Sequence, residues 1–181
     1  REAIARALRM VEAKVVHAVE AARAAYDRVD VVVLSDHGMA ETRGSHDLMR
    51  AVARLGLAEG RDYLAFYDST MARFWFENGG AERRIRQALG ELDCGDFLTD
   101  DDLRREGIHF EDGRFGEAVF LMRPGGLIVP SYMGRTAPRG MHGFTPEHPD
   151  SYAVLMASSE VSPEPSHIRD SFAVMRKAAG L

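Results

Sequence analysis

Val31-Val32-Val33-Leu34-Ser35-Asp36-His37-Gly38-Met39 is the stretch on which the fold turns. Four apolar residues, three of them β-branched, run into a polar turn. β-Branched side chains favour extended backbone, and a short apolar run bounded by a turn predicts a fully buried strand of the kind found inside a parallel sheet. An Asp and a His just past the carboxyl end of such a strand stand where open α/β sheets place their ligands. A carboxylate beside an imidazole is also a suitable donor pair for a divalent cation. A plainer role is open to the same residues. Asp is a common helix cap and Gly38 an ordinary turn residue, so spacing alone does not decide between the two.

Working outward, Ala3 to Tyr26 carries Leu8, Val11, Val15, Val16 and Val19 at helical spacing. This predicts one long amphipathic helix, packed on the sheet as the connection before the Val31 strand. Asp27 and Asp30 mark the turn between them. Ser45 to Leu55 reads as a helix with Leu48, Met49, Val52 and Leu55 on one face; Ser45 is a candidate cap, with His46 and Asp47 also in the first turn. Tyr63–Tyr67 and Ala72–Phe76 read as strands joined by an Asp68-Ser69-Thr70 turn. Glu82–Leu89 reads as a helix ended by Gly90. Asp100-Asp101-Asp102 could suit a hard cation, but acidic residues opening a short helix that Gly107 closes is the better account. Glu117–Met122 and Leu127–Val129 read as strands around Pro124-Gly125-Gly126. The aromatics Phe66, Tyr67, Phe74, Trp75 and Phe76 could stack on a nucleotide base, yet their alternation fits core packing better.

The chain has 181 residues, 45% of them hydrophobic and 28% charged, which suits one domain with a sizeable core. A formal net charge of -5 argues against a partner bound through a nucleic-acid duplex backbone. The single Cys94 cannot form an internal disulfide and fits a reducing, cytoplasmic setting, although localisation stays open. No stretch is long and apolar enough to span a bilayer. There is no repeat, no low-complexity tract and no signal for oligomeric state. The chain opens Arg1-Glu2-Ala3 without a Met, so a fragment or processed product is expected.

Gly140-Met141-His142-Gly143-Phe144-Thr145-Pro146 precedes a second apolar run, Tyr152 to Ala157. The glycines allow a tight bend that brings the imidazole close to a ligand, although a loop histidine of this kind need not bind anything. Taken with Ser35-Asp36-His37-Gly38-Met39, in this order, the segment resembles the metal-binding motifs of the alkaline phosphatase superfamily. The resemblance is nearest to its type I phosphodiesterase and nucleotide pyrophosphatase branch, C-terminal portion. Specific motifs cover only the two turns.

The resemblance implies an α/β fold, a mostly parallel sheet flanked by helices. Residues 1–181 would be a single partial catalytic domain, with residues 60–130 a small α+β insertion between the two motifs. It implies two divalent metal ions, zinc or alternatively manganese, with Asp36 and His37 on one and His142 on the other. The substrate would be a small-molecule phosphodiester or nucleotide. The family's Ser or Thr nucleophile and its remaining ligands lie before the segment matching Ala3–Tyr26. Ser69, Thr70, Ser131 and Thr136 stand at no matching place, so no catalytic residue is assigned, and the isolated chain is expected to be inactive. His46 is expected to face solvent or support the site. His17, His109, His148 and His167 have no informative context. The alternatives are a non-catalytic metal-binding or interaction fragment, or another superfamily activity: phosphomonoesterase, sulfatase, phosphonate hydrolase or phosphomutase.

Overall fold

The computed structural model describes residues 2–161 and 164–181. They pack as two compact units, Arg1–Asp36 with Ala153–Leu181, and His37–Tyr152.

The first unit begins with helix α1, Glu2–Ala25. The helix spacing of the sequence is realised, but none of its residues is buried, so the expected packing on a sheet does not occur among the described residues. The apolar run then forms strand β1, Val32–Leu34, which pairs antiparallel with β10, Leu155–Ala157. Hydrogen bonds extend the ladder beyond both ends. Ser158 N donates to Val31 O at 2.9 Å, and Ser35 N donates to Val154 O at 2.9 Å. This corrects the expectation of a fully buried strand in a parallel sheet. β1 has one strand neighbour among the described residues, and Val32, Val33 and Leu34 are only half-buried. Helix α5, Ser171–Ala178, closes the unit and contributes Val174, its one buried apolar side chain among the described residues.

The second unit is built on a four-stranded antiparallel sheet in the order β4-β5-β7-β6, with β4 Tyr63–Tyr67, β5 Met71–Phe76, β6 Gly95–Phe97 and β7 Ala118–Met122. The β4–β5 hairpin turns at Asp68–Thr70, as its flanking alternation predicts. Phe74 and Phe120 lie fully buried on this sheet with Ile85 and Leu89 of helix α3, Gly79–Gly90. Each such side chain is worth about 1.5–3 kcal/mol of transfer free energy. Asn78 starts α3 by accepting from Ala81 N at 2.9 Å. Helix α2, Leu48–Ala53, adds Leu48 and Val52 to the same core.

The start of α2 differs from its sequence reading. Gly44–His46 is a strand, β3, paired parallel with β8, Gly126–Ile128. Ser45 is therefore paired backbone, and Asp47 is the cap, accepting from Arg50 N at 2.9 Å. Two polar residues compete for one cap, and the strand pairing decides between them. The chain is a mixed α/β protein whose parallel pairing is confined, among the described ladders, to β3 and β8.

The acidic triplet opens helix α4, Asp100–Arg105, in a capping box. Thr99 Oγ1 accepts from Asp102 N, and Asp102 accepts from Thr99 N. This is the capping role rather than a cation site. The aromatic cluster divides by face. Tyr67 and Phe74 are core residues. Phe66 carries the Arg73 guanidinium 4.6 Å from its ring centre, and Trp75 Nε1 donates to Gly113 O at 2.6 Å. The exposed side of the sheet is thus occupied by its own side chains.

Candidate metal-binding turns

The two motif histidines come together within the second unit. The His37 ring stacks on that of His142 with centroids 3.8 Å apart and planes 18° from parallel. His37 is half-buried and His142 exposed. His37 Nδ1 lies 2.7 Å from Gly38 O. A carbonyl only accepts, so this contact requires the proton on Nδ1. Asp36, exposed, closes the first unit one residue before His37. The strand end that presents it is held by Ser35, whose Oγ accepts from Val154 N at 2.9 Å.

Each histidine turn is fixed by backbone approach. A Cβ on Gly38 would lie 2.2 Å from Asp150 O and 2.8 Å from Tyr152 O. Gly38 N donates to Ser151 O at 3.0 Å. Only glycine allows that approach. The His142 turn is anchored on both sides. Before it, β9 (Gly140–Met141) pairs antiparallel with β2 (Ala40–Glu41), which follows the His37 turn. After it, Phe144 is buried in the core. Two short ladder pairs and one apolar anchor thus carry the stacked rings.

The remaining histidines stand elsewhere. His46 is half-buried in β3, and its carbonyl accepts from Val129 N at 3.0 Å. His148 Nδ1 accepts from Asp150 N at 3.2 Å, which caps the short 3-10 turn Pro149–Ser151. His167 caps the turn before α5 in the same way. His17 is exposed on α1 and His109 half-buried after α4. Burial pushes the Cys94 thiol up, so it is no ready thiolate ligand. Among the described residues, no group of three His, Cys, Asp or Glu side chains is disposed to hold a metal ion. A cavity of about 560 Å³ lies in the first unit, lined in part by Arg28, Asp30, Glu164 and Lys177, and none of the three candidate ligands borders it. No helix described is long and apolar enough to cross a membrane.

Thr70 and Ser69, in the β4–β5 turn, are the buried polar residues of the described chain. A Cβ on Gly143 would lie 2.8 Å from Thr70 Oγ1. The sequence gives no sign of this neighbour, because the contact joins a hairpin tip to a distant loop.

No protein-family model matches the sequence, and no curated protein matches it. Solved structures do. Human ectonucleotide pyrophosphatase / phosphodiesterase 5 aligns with a TM-score of 0.63 and 16% identity, over 84% of this chain and 41% of that chain. An inactive form of the murine protein in complex with AMP gives 0.64 and 18%, over 84% and 41%. Phosphonoacetate hydrolase from Sinorhizobium meliloti 1021 in complex with phosphonoformate gives 0.62 and 17%, over 83% and 42%. The chain spans 41–42% of the length of these structures. Over the portion it spans, the chain shares the fold of these nucleotide pyrophosphatase / phosphodiesterase and phosphonoacetate hydrolase structures.

Proposed function

We propose that this chain is a metal-binding part of a hydrolase acting on phosphodiester or pyrophosphate bonds, with Asp36, His37 and His142 as ligands. The observation that carries the proposal is the stacking of His37 on His142, which puts the two motif histidines in contact at adjoining turns. The donor set fits a cation such as zinc or manganese: one carboxylate, and imidazoles of which His37 has its proton held on Nδ1 by Gly38. When bound, two such ions supply positive charge to the attacking and leaving oxygens of an in-line displacement at phosphorus. His37 and His142 stack their rings, and the glycine beside each allows the turn that carries it. The AMP complex of the murine neighbour supports a small nucleotide as the ligand class. We further infer that residues 60–130 are an insertion between the ligand turns, and that the nucleophile and the other ligands lie outside this chain.

The test is hydrolysis of an aryl phosphodiester by the full-length protein with added zinc or manganese. Outer-sphere partners of a metal ligand are worth about 10–100-fold, so His142→Ala should cost on the order of 100-fold or more. Undiminished activity in that variant overturns the assignment. A second reading, a non-catalytic metal-binding or interaction fragment, is favoured by the lack of a three-ligand cluster among the described residues. The isolated chain is expected to be inactive under either reading. Stoichiometric zinc held by the isolated chain after extensive dialysis would show a more complete site than we propose.

A further inference from the structure

The hairpin tip Asp68–Thr70 is held more firmly than a turn between two strands needs. Asp68 N donates to Met71 O at 2.9 Å, and Ser69 N donates to Asp68 Oδ1 at 2.6 Å. The tip is also tied to other strands: Ile128 N donates to Ser69 O and Met122 N to Thr70 O, each at 2.8 Å. With its backbone pinned on two sides, the tip presents the Thr70 side chain as a fixed surface. Thr70 is only 4% exposed, which suits a support and not a nucleophile. Its branched Cβ restricts χ1, so Oγ1 cannot easily swing away.

What that surface meets is Gly143. This residue has φ +87, a conformation that L side chains rarely adopt, and a Cβ there would come within 2.8 Å of Thr70 Oγ1. Gly143 follows His142, in the short span between the β9 ladder and buried Phe144. Within that span the loop rests on Thr70. His142 lies in the same span, one residue before Gly143, and its ring stacks on that of His37 at 3.8 Å.

We propose that Thr70 is a positioning residue for His142. The proposal rests on the reading of His142 as a metal ligand. It makes the tip of the β4–β5 hairpin part of the site's support, acting through Gly143 and without touching metal or substrate. The role is one of shape, so any side chain that keeps an atom at the Oγ1 position should preserve it.

The experiment uses the metal-free 181-residue chain with histidine ring resonances assigned by NMR, comparing Thr70→Ala, Thr70→Ser and Thr70→Val. Thr70→Ala should move the ring signals of both His37 and His142, as the mutual ring-current shift of a stacked pair is lost. Thr70→Ser and Thr70→Val should keep them close to wild type. In the full-length protein, Thr70→Ala should weaken zinc binding, measured by calorimetry, about 10-fold, with rescue by Thr70→Ser. Unmoved ring signals in Thr70→Ala overturn the proposal, as do equal shifts in all three variants. If Thr70→Ala does not fold, a shifted ring pair in well-folded Thr70→Ser and Thr70→Val overturns it equally. The reading of His142 as a ligand fails separately, through undiminished zinc affinity and activity in His142→Ala.

Discussion

In His37–Tyr152, Phe74, Phe120, Ile85, Leu89, Leu127 and Ile128 are all 0% exposed. In the unit formed by Arg1–Asp36 and Ala153–Leu181, Val174 is the one buried apolar residue among those described, while Leu8 is 64% and Phe172 65% exposed. Both units have well-formed elements. The second assembles a core from its own residues: one sheet, two helices and the parallel β3–β8 pair. The first has a helix with an apolar stripe and a strand of valines, but little that covers them. Periodicity sets an element and the face it would bury. It does not supply the surface that buries it.

The largest expected effects test this contrast directly. Phe120→Ala should cost about 3–5 kcal/mol, the range for emptying a packed aromatic site. Leu8→Ala should stay within about 0.5 kcal/mol, as for an exposed position. Urea unfolding followed by near-UV and far-UV dichroism measures both. Similar losses for the two variants would break the comparison, because they would place the α1 stripe in contact with something in solution.

Gly38→Ala comes next. Its Cβ would meet the carbonyls of Asp150 and Tyr152, which belong to backbone and cannot rotate away. A loss of about 1–3 kcal/mol is expected, as for other overpacked sites. The same denaturation assay checks it, and a neutral result would show that the His37 turn is looser than its hydrogen bond to Ser151 implies. Asp47→Ala should cost about 1 kcal/mol through the lost α2 cap. Ser45→Ala should be nearly silent, since Ser45 is no longer the capping residue. Equal costs for the two would return the cap to Ser45.

The smallest effect concerns the capping carboxylates of the two units. Asp102 is lowered to about 2, chiefly by the Thr99 hydroxyl, then by the Thr99 amide and Arg105. Asp170 is lowered as well, by the backbone amides of His167 and Ser166. A depressed carboxylate contributes stability that is present above its unfolded value, near 4, and is lost as pH falls through its folded value. Carboxyl NMR titration should therefore place both midpoints below the ordinary aspartate value. An Asp102 midpoint at that value would mean that the α4 capping box is weaker in solution than its geometry suggests.

Local elements were legible in the sequence where the deciding interactions are local. The apolar spacing of α1, the alternation of β4 and β5 and the acidic opening of α4 act over two to four residues, and each appears where it was expected. Ser45 and Asp47 were ambiguous for a related reason. Both are good caps, and the choice rests on the pairing of Gly44–His46 with Gly126–Ile128, which lies far along the chain. β1 was read correctly as a strand and incorrectly as buried, since burial depends on neighbours that a run of valines does not specify.

The sequence by itself determined the two glycine-flanked histidine turns, their order and the superfamily they resemble. It did so because tight turns and donor pairs are written in adjacent residues. Only the tertiary structure decided that the His37 ring lies on the His142 ring, that Gly38 is pressed against the Asp150 and Tyr152 carbonyls, and that Thr70 lies under Gly143. These contacts join segments remote in the chain. They exist because the β2–β9 pairing and the buried Phe144 bring the segments together, and no local pattern encodes that.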